Sequence, residues 1–235
     1  MERRASPRRV PPSPVSRGLA GAAGHAPMRL ILTPAIITLG VTLLRLGGEL
    51  RHGPPTLFSR LPGGGLALVG IAWLAPVFGA WFGYRLGRSG LAPAGRGRAL
   101  GLPLAAAATF FLVGWVTEKA GWAASANALI AVFAVGAVLA LVVSILAWPA
   151  LGRLLVAYAV AARIPVAVVM LFAILAGWGT HYDAPPPVFP AMSPLRRWLW
   201  TGLLPQATIW VTYTVVVGML FGVLGQLVAS RRPPD

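Results

Sequence analysis

The chain has 235 residues, of which 57% are hydrophobic and 11% charged, with a mean hydropathy of +0.76 and a formal net charge of +15. Soluble domains carry about 25% charged residues, so the composition is that of a membrane protein, and the lack of cysteine excludes disulfides, thiolate nucleophiles, Cys-ligated zinc and iron–sulfur clusters. Nineteen of the twenty basic residues are Arg, scattered between apolar runs rather than gathered on one basic face, so no nucleic-acid partner is expected.

The first 28 residues are rich in Arg, Pro and Ala and have no apolar periodicity, so 1–28 is expected to be a disordered basic tail. Either it binds anionic headgroups, or it reflects the choice of start site, Met28 standing directly before the first apolar run. The start-site reading is the favoured one. The run that follows is longer than a signal-peptide core and has no Ala-x-Ala site, so it is a true first span.

Six apolar stretches then follow, at approximately 30–48, 66–84, 99–117, 124–148, 154–178 and 198–229, making 29–230 a six-span domain with 231–235 as a cytoplasmic tail. Crossing the hydrocarbon core takes about 20 mainly apolar residues in a helix, whereas barrel strands run about 10 residues with alternating polarity. The expected fold is all-α, a polytopic bundle of six transmembrane helices. With the N-terminus inside, the inner loops hold Arg29, Arg85, Arg88, Arg96, Arg98, Arg153, Arg231 and Arg232, and the outer loops hold the smaller set Arg51, Arg60, Lys119, Arg196 and Arg197. Cytoplasmic loops carry the Lys and Arg excess, so both termini are expected on the cytoplasmic side. Trp115, Trp122, Trp178, Trp198 and Trp200 fall at outer ends and Trp148 at an inner end, the levels at which Trp anchors a span. Arg in place of Lys, with abundant Ala, Gly and Pro, points to a bacterial inner membrane.

Within the spans, Pro34, Pro76, Pro103, Pro165 and Pro205 imply kinks whose freed carbonyls need partners. Gly79, Gly83 and Gly87 on span 2, and Gly218, Gly222 and Gly225 on span 6, form small-residue stripes that suit close packing of those two helices.

Few residues can carry chemistry. The expected topology puts Glu49, His52, Glu118, His181 and Asp183 at one depth on the outer face, the level needed for an acid/base pair or a metal. Glu49 and His52 have Glu-x-x-His spacing, as in di-iron bundles, but those use two such motifs. No metal is expected; if one bound, His52, His181, Glu49 and Asp183 would be the ligands. No cofactor is expected either. Arg45 stands one turn before Glu49 and should pair with it.

Arg163 lies near the middle of span 5 with no carboxylate at its depth. An Arg at a helix centre costs about 2.5–3.5 kcal/mol even on the lenient insertion scale, so it should face the interior with a partner. Candidates are carbonyls freed by Pro165, Tyr158, and the span 6 stripe of Gln206, Trp210 and Tyr213. A guanidinium without a protein counter-ion suits an anionic solute or a lipid headgroup, making Arg163, Gln206, Tyr213 and Tyr158 the candidate ligand-binding set. No Gly-x-Ser-x-Gly, His-Glu-x-x-His, P-loop or dinucleotide fingerprint occurs. The leading expectation is non-enzymatic: a small transporter, channel component or membrane subunit. The alternatives are a membrane enzyme using the outer-face residues, or a structural subunit that assembles with a membrane protein or with itself.

Overall fold

A computed structural model describes residues 14–65, 67–121, 126–187 and 189–231. These residues are all-helical, with no β-strand. Six helices follow one another: α1 (Pro14–Leu50), α2 (Leu74–Arg88), α3 (Arg96–Lys119), α4 (Ala126–Ala147), α5 (Pro149–Ala176) and α6 (Pro194–Ser230). Five of them contain stretches long and apolar enough to cross a membrane: Arg29–Leu50, Arg96–Lys119, Ala128–Ala147, Pro149–Ala176 and Pro194–Ser230. Large apolar side chains face outward on these helices, Phe111 at 75% exposure and Leu139 at 62% among them, the reverse of a soluble surface.

The second apolar stretch departs from expectation. Its helix, α2, has 15 residues, about 22 Å, short of the roughly 30 Å hydrocarbon core. Two local features delay it. Gly63, Gly64 and Gly65 all have positive φ, which breaks any helix there. Pro76 has no N–H to give the Ala72 carbonyl and so belongs in a first turn; the Ala72 carbonyl instead accepts from the Ala75 N–H at 3.2 Å and the Tyr213 hydroxyl at 3.4 Å. The chain between α1 and α2 therefore descends as irregular backbone.

At the other end, α1 begins at Pro14, within the segment expected to be disordered. Residues 1–13 lie outside the described residues, as do Trp122 and Arg232.

Helix α2 lies parallel to α6, and the two Gly stripes meet. A Cβ placed on Gly79 or Gly83 would strike the backbone of Gly218 or Gly222, and one on Gly225 would strike the Ala80 carbonyl. Helix α1 lies alongside α5, joined by the Thr38 and Tyr158 hydroxyls at 2.8 Å. Helix α3 packs on α4 and α6, with Arg98 donating to the Leu146 carbonyl at 3.1 Å and Arg96 to the Ser230 hydroxyl at 3.2 Å. Leu74, Phe82, Trp148, Leu151, Leu155 and Met219 form the buried core where α2, α5 and α6 converge.

Pro205 separates two π-helical stretches of α6, Trp198–Leu203 and Gln206–Trp210. Wider π winding redistributes the side chains that a regular helix would hold on one face, and such turns recur at functional sites. Here they turn Trp200, Leu204, Gln206, Ile209 and Trp210 toward one cavity.

Candidate functional site

Arg163 sits at the middle of α5 and is 6% exposed. Its Nη1 donates to Gln206 Oε1 at 3.5 Å and its Nη2 to Thr214 Oγ1 at 3.4 Å, both at the long limit of a hydrogen bond. The guanidinium carbon is 5.0 Å from the centre of the Trp210 ring. Nε has no hydrogen-bond partner, and no carboxylate pairs with the group, among the described residues. A guanidinium has five N–H donors; two long bonds to neutral acceptors and one aromatic face leave it under-coordinated.

Arg163 borders a partly open cavity of about 810 Å³, within the size range of small-molecule sites. Gln206 and Tyr213 line it with Arg163. Thr214, which holds Nη2, was not among the sequence candidates, although it stands one turn beyond Trp210 on the same stripe. Tyr158 departs from the expected set: its hydroxyl is taken by Thr38 and its ring packs edge-on against Phe78 and Phe82 in the core, so it does not line the cavity. Gly63, Gly65, Ala67, Gly70, Ile71, Ala72 and Trp73, all between α1 and α2, form one wall.

The five outer-face residues divide into separate groups. Glu49 and His181 meet. Glu49 Oε1 accepts from Arg45 Nε at 2.8 Å and lies 2.5 Å from His181 Nδ1, while Oε2 accepts from the His181 backbone N–H at 2.9 Å. Arg45 Nη2 donates onward to the carbonyls of Ser59 at 3.1 Å and Gly64 at 2.8 Å. This buried knot ties the end of α1 to the chain before α2 and to the loop after α5. Asp183 instead accepts from Gly179 N, Thr180 N and Thr180 Oγ1 and shapes its own turn. His52 is exposed beside Arg60, at 2.6 Å, and Glu118 is exposed at the end of α3, which packs on α4 and α6 rather than on α1. Parallel neighbours at one depth share a level but not a position in the bundle plane. Among the described residues no group of three or more His, Asp or Glu is placed to hold a metal.

Arg45, His181 and Tyr182 also line the cavity, so the knot and Arg163 share one space. Thr38 and Tyr158 set the register of α1 and α5; Glu49 is eleven residues beyond the first and Arg163 five beyond the second. At about 1.5 Å per residue the carboxylate lies roughly 9 Å outward of the guanidinium. Burial lowers the His181 pKa from its ordinary 6.5, against the upward pull of its hydrogen bond to Glu49, so the ring is neutral at pH 7. A carboxylate only accepts, so Nδ1 carries the proton and Nε2 keeps its lone pair. Burial likewise raises the Tyr182 pKa, keeping a neutral hydroxyl that donates to the Thr42 carbonyl at 3.3 Å.

Compared with known proteins, the chain matches no protein family, no curated protein and no solved structure.

Proposed function

We propose that this protein is a polytopic membrane protein whose cavity binds an anionic solute or lipid headgroup at Arg163, as a small transporter, channel component or membrane subunit. The observation that carries the reading is a 6%-exposed guanidinium with neutral partners only, bordering a cavity large enough for a ligand. Burying an unpaired charge is costly, and an anion arriving in the cavity would offset that cost. Five helices cross the bilayer in this reading, and the irregular chain before α2 together with α2 makes the sixth crossing. In this reading the excess of Arg in the loops on one side makes that side cytoplasmic, with both termini there, and the membrane is a bacterial inner membrane. An outer-face enzyme is less well supported, because of its five candidate residues only Glu49 and His181 meet.

Trp210 reports on the site through its contact with Arg163. Purified protein titrated with inorganic phosphate, acetate, decanoate and phosphatidylglycerol should change Trp fluorescence with at least one of them. Hydrogen bonds to a charged group contribute about 1.5–3 kcal/mol, so Arg163→Ala should weaken that response about tenfold or more, with Arg163→Lys between. A folded Arg163→Ala protein that responds like the wild type would reject the proposal.

A further inference from the structure

The charge balance and walls of the cavity define its ligand more narrowly. Its lining contains two arginines, Arg45 and Arg163. Arg45 is neutralised by Glu49 at 2.8 Å, and Glu49 is shared with His181. One positive charge remains without a counter-ion among the described residues, on Arg163. A monoanion would balance it; a dianion would bring a second negative charge into a space where Glu49 already satisfies the other cation.

The walls exclude a small hydrated ion as the best-fitting occupant. Outward from Arg163 they are formed by Leu129, Ile130 and Phe133 of α4, Phe189 of the loop before α6, and Trp200 and Leu204 of α6. Trp200 stands ten residues before Trp210, whose ring lies against Arg163, so the lining extends at most about 15 Å from the level of Arg163, less where α6 is π-helical. Trp73 and Trp200, 49% and 36% exposed, also line the cavity. A charge at one end, and an apolar wall of α4, α6 and Phe189 leading away from it in a cavity that Arg45 and His181 also line, complement a molecule with one charged head and an apolar body.

Resting on the anion-site reading above, we infer that the ligand is an amphiphilic monoanion, with a carboxylate or phosphodiester head at Arg163 and an apolar body along Phe133, Phe189 and Trp200. The head accepts from the guanidinium donors that Gln206 and Thr214 hold only weakly, and the body removes its apolar surface from water or lipid against the aromatic wall. Such a head could belong to a free organic anion or to a bilayer lipid.

The test uses the full chain in phosphatidylcholine nanodiscs, with 11-bromoundecanoate as the probe because a bromine beside the wall quenches Trp200. Wild-type protein should be quenched at a probe concentration at least about tenfold lower than Arg163→Gln requires. Ala134→Phe, which fills the α4 wall and keeps Arg163, should lose the same quenching, so the test survives if Arg163→Gln fails to fold. Decanol should show no dependence on Arg163, and decyl phosphate at pH 8, a dianion, should compete with the probe at least fivefold less well than decanoate. Competition by phosphatidylglycerol would assign the ligand to the bilayer, and its failure to compete would assign it to a free anion. Equal quenching of wild type and both variants overturns the inference. So does an Arg163-dependent Trp210 response to phosphate or acetate as strong as that to decanoate, although the anion site itself would then stand. If no anion of either kind gives an Arg163-dependent response, both readings fall.

Discussion

Glu49 is the residue on which the outer end depends. Its side chain is fully buried and joins Arg45 to His181, and through Arg45 it reaches the Ser59 and Gly64 carbonyls. Removing one partner of a buried pair leaves an uncompensated charge, at a cost of about 3–5 kcal/mol. Glu49→Ala should lower unfolding stability by that order, and a loss under about 1 kcal/mol would mean that the knot does not hold the loops. His181 adds a pH dependence of known sign. Its folded pKa lies below 6.5, so the unfolded chain takes up the proton first as pH falls. The stability due to the neutral ring is complete above about pH 6.5 and is lost as pH drops through the lower folded value. Thermal unfolding followed from about pH 7.5 to about pH 5 should show this loss, reduced in His181→Gln; identical slopes would show that His181 does not set it. The Arg45–Glu49 pair was legible from its i, i+4 spacing, but His181 was placed only at the right depth, because a loop residue 132 positions away meets Glu49 through the return of the chain after α5.

Among the elements, the α2–α6 pair shows what small residues do at a helix crossing. A methyl on Gly83 would meet the Gly222 backbone, which cannot move aside as a side chain can. Gly83→Ala should destabilise by about 1–3 kcal/mol. Gly101→Ala on the exposed face of α3, where a Cβ meets nothing within 4 Å, should instead stabilise by about 0.5–1 kcal/mol through helix propensity. Unfolding curves of the two variants moving the same way would contradict the crossing described here. The Gly spacing pointed to this contact from sequence. The length of α2 was not legible in the same way, since hydropathy over 66–84 cannot distinguish a continuous helix from irregular backbone leading into a shorter one. That difference turns on the three positive-φ glycines at 63–65 and on Pro76.

At the scale of the whole molecule, the proposed orientation can be read directly because the chain has no cysteine. Thr56→Cys and Ser89→Cys, both exposed, lie on opposite sides in the N-in topology. In intact cells a membrane-impermeant maleimide should label the first and not the second, and the reverse pattern would invert the topology. Composition and the placement of charges determined that the chain is helical and apolar on its outside, because lipid leaves backbone groups no partner except one another. They also singled out Arg163, since an isolated charge in an apolar run is visible without any structure. The sequence named Gln206 and Trp210 among the partners of that guanidinium, but tertiary structure decided that these and Thr214 meet it. Its partners come from α6, a π-helical stretch carries Gln206 and Trp210, and the cavity beside them is lined by loops from two distant parts of the chain. Periodicity records which face of a helix is apolar, but not which other helix that face will meet, and a cavity exists only between helices.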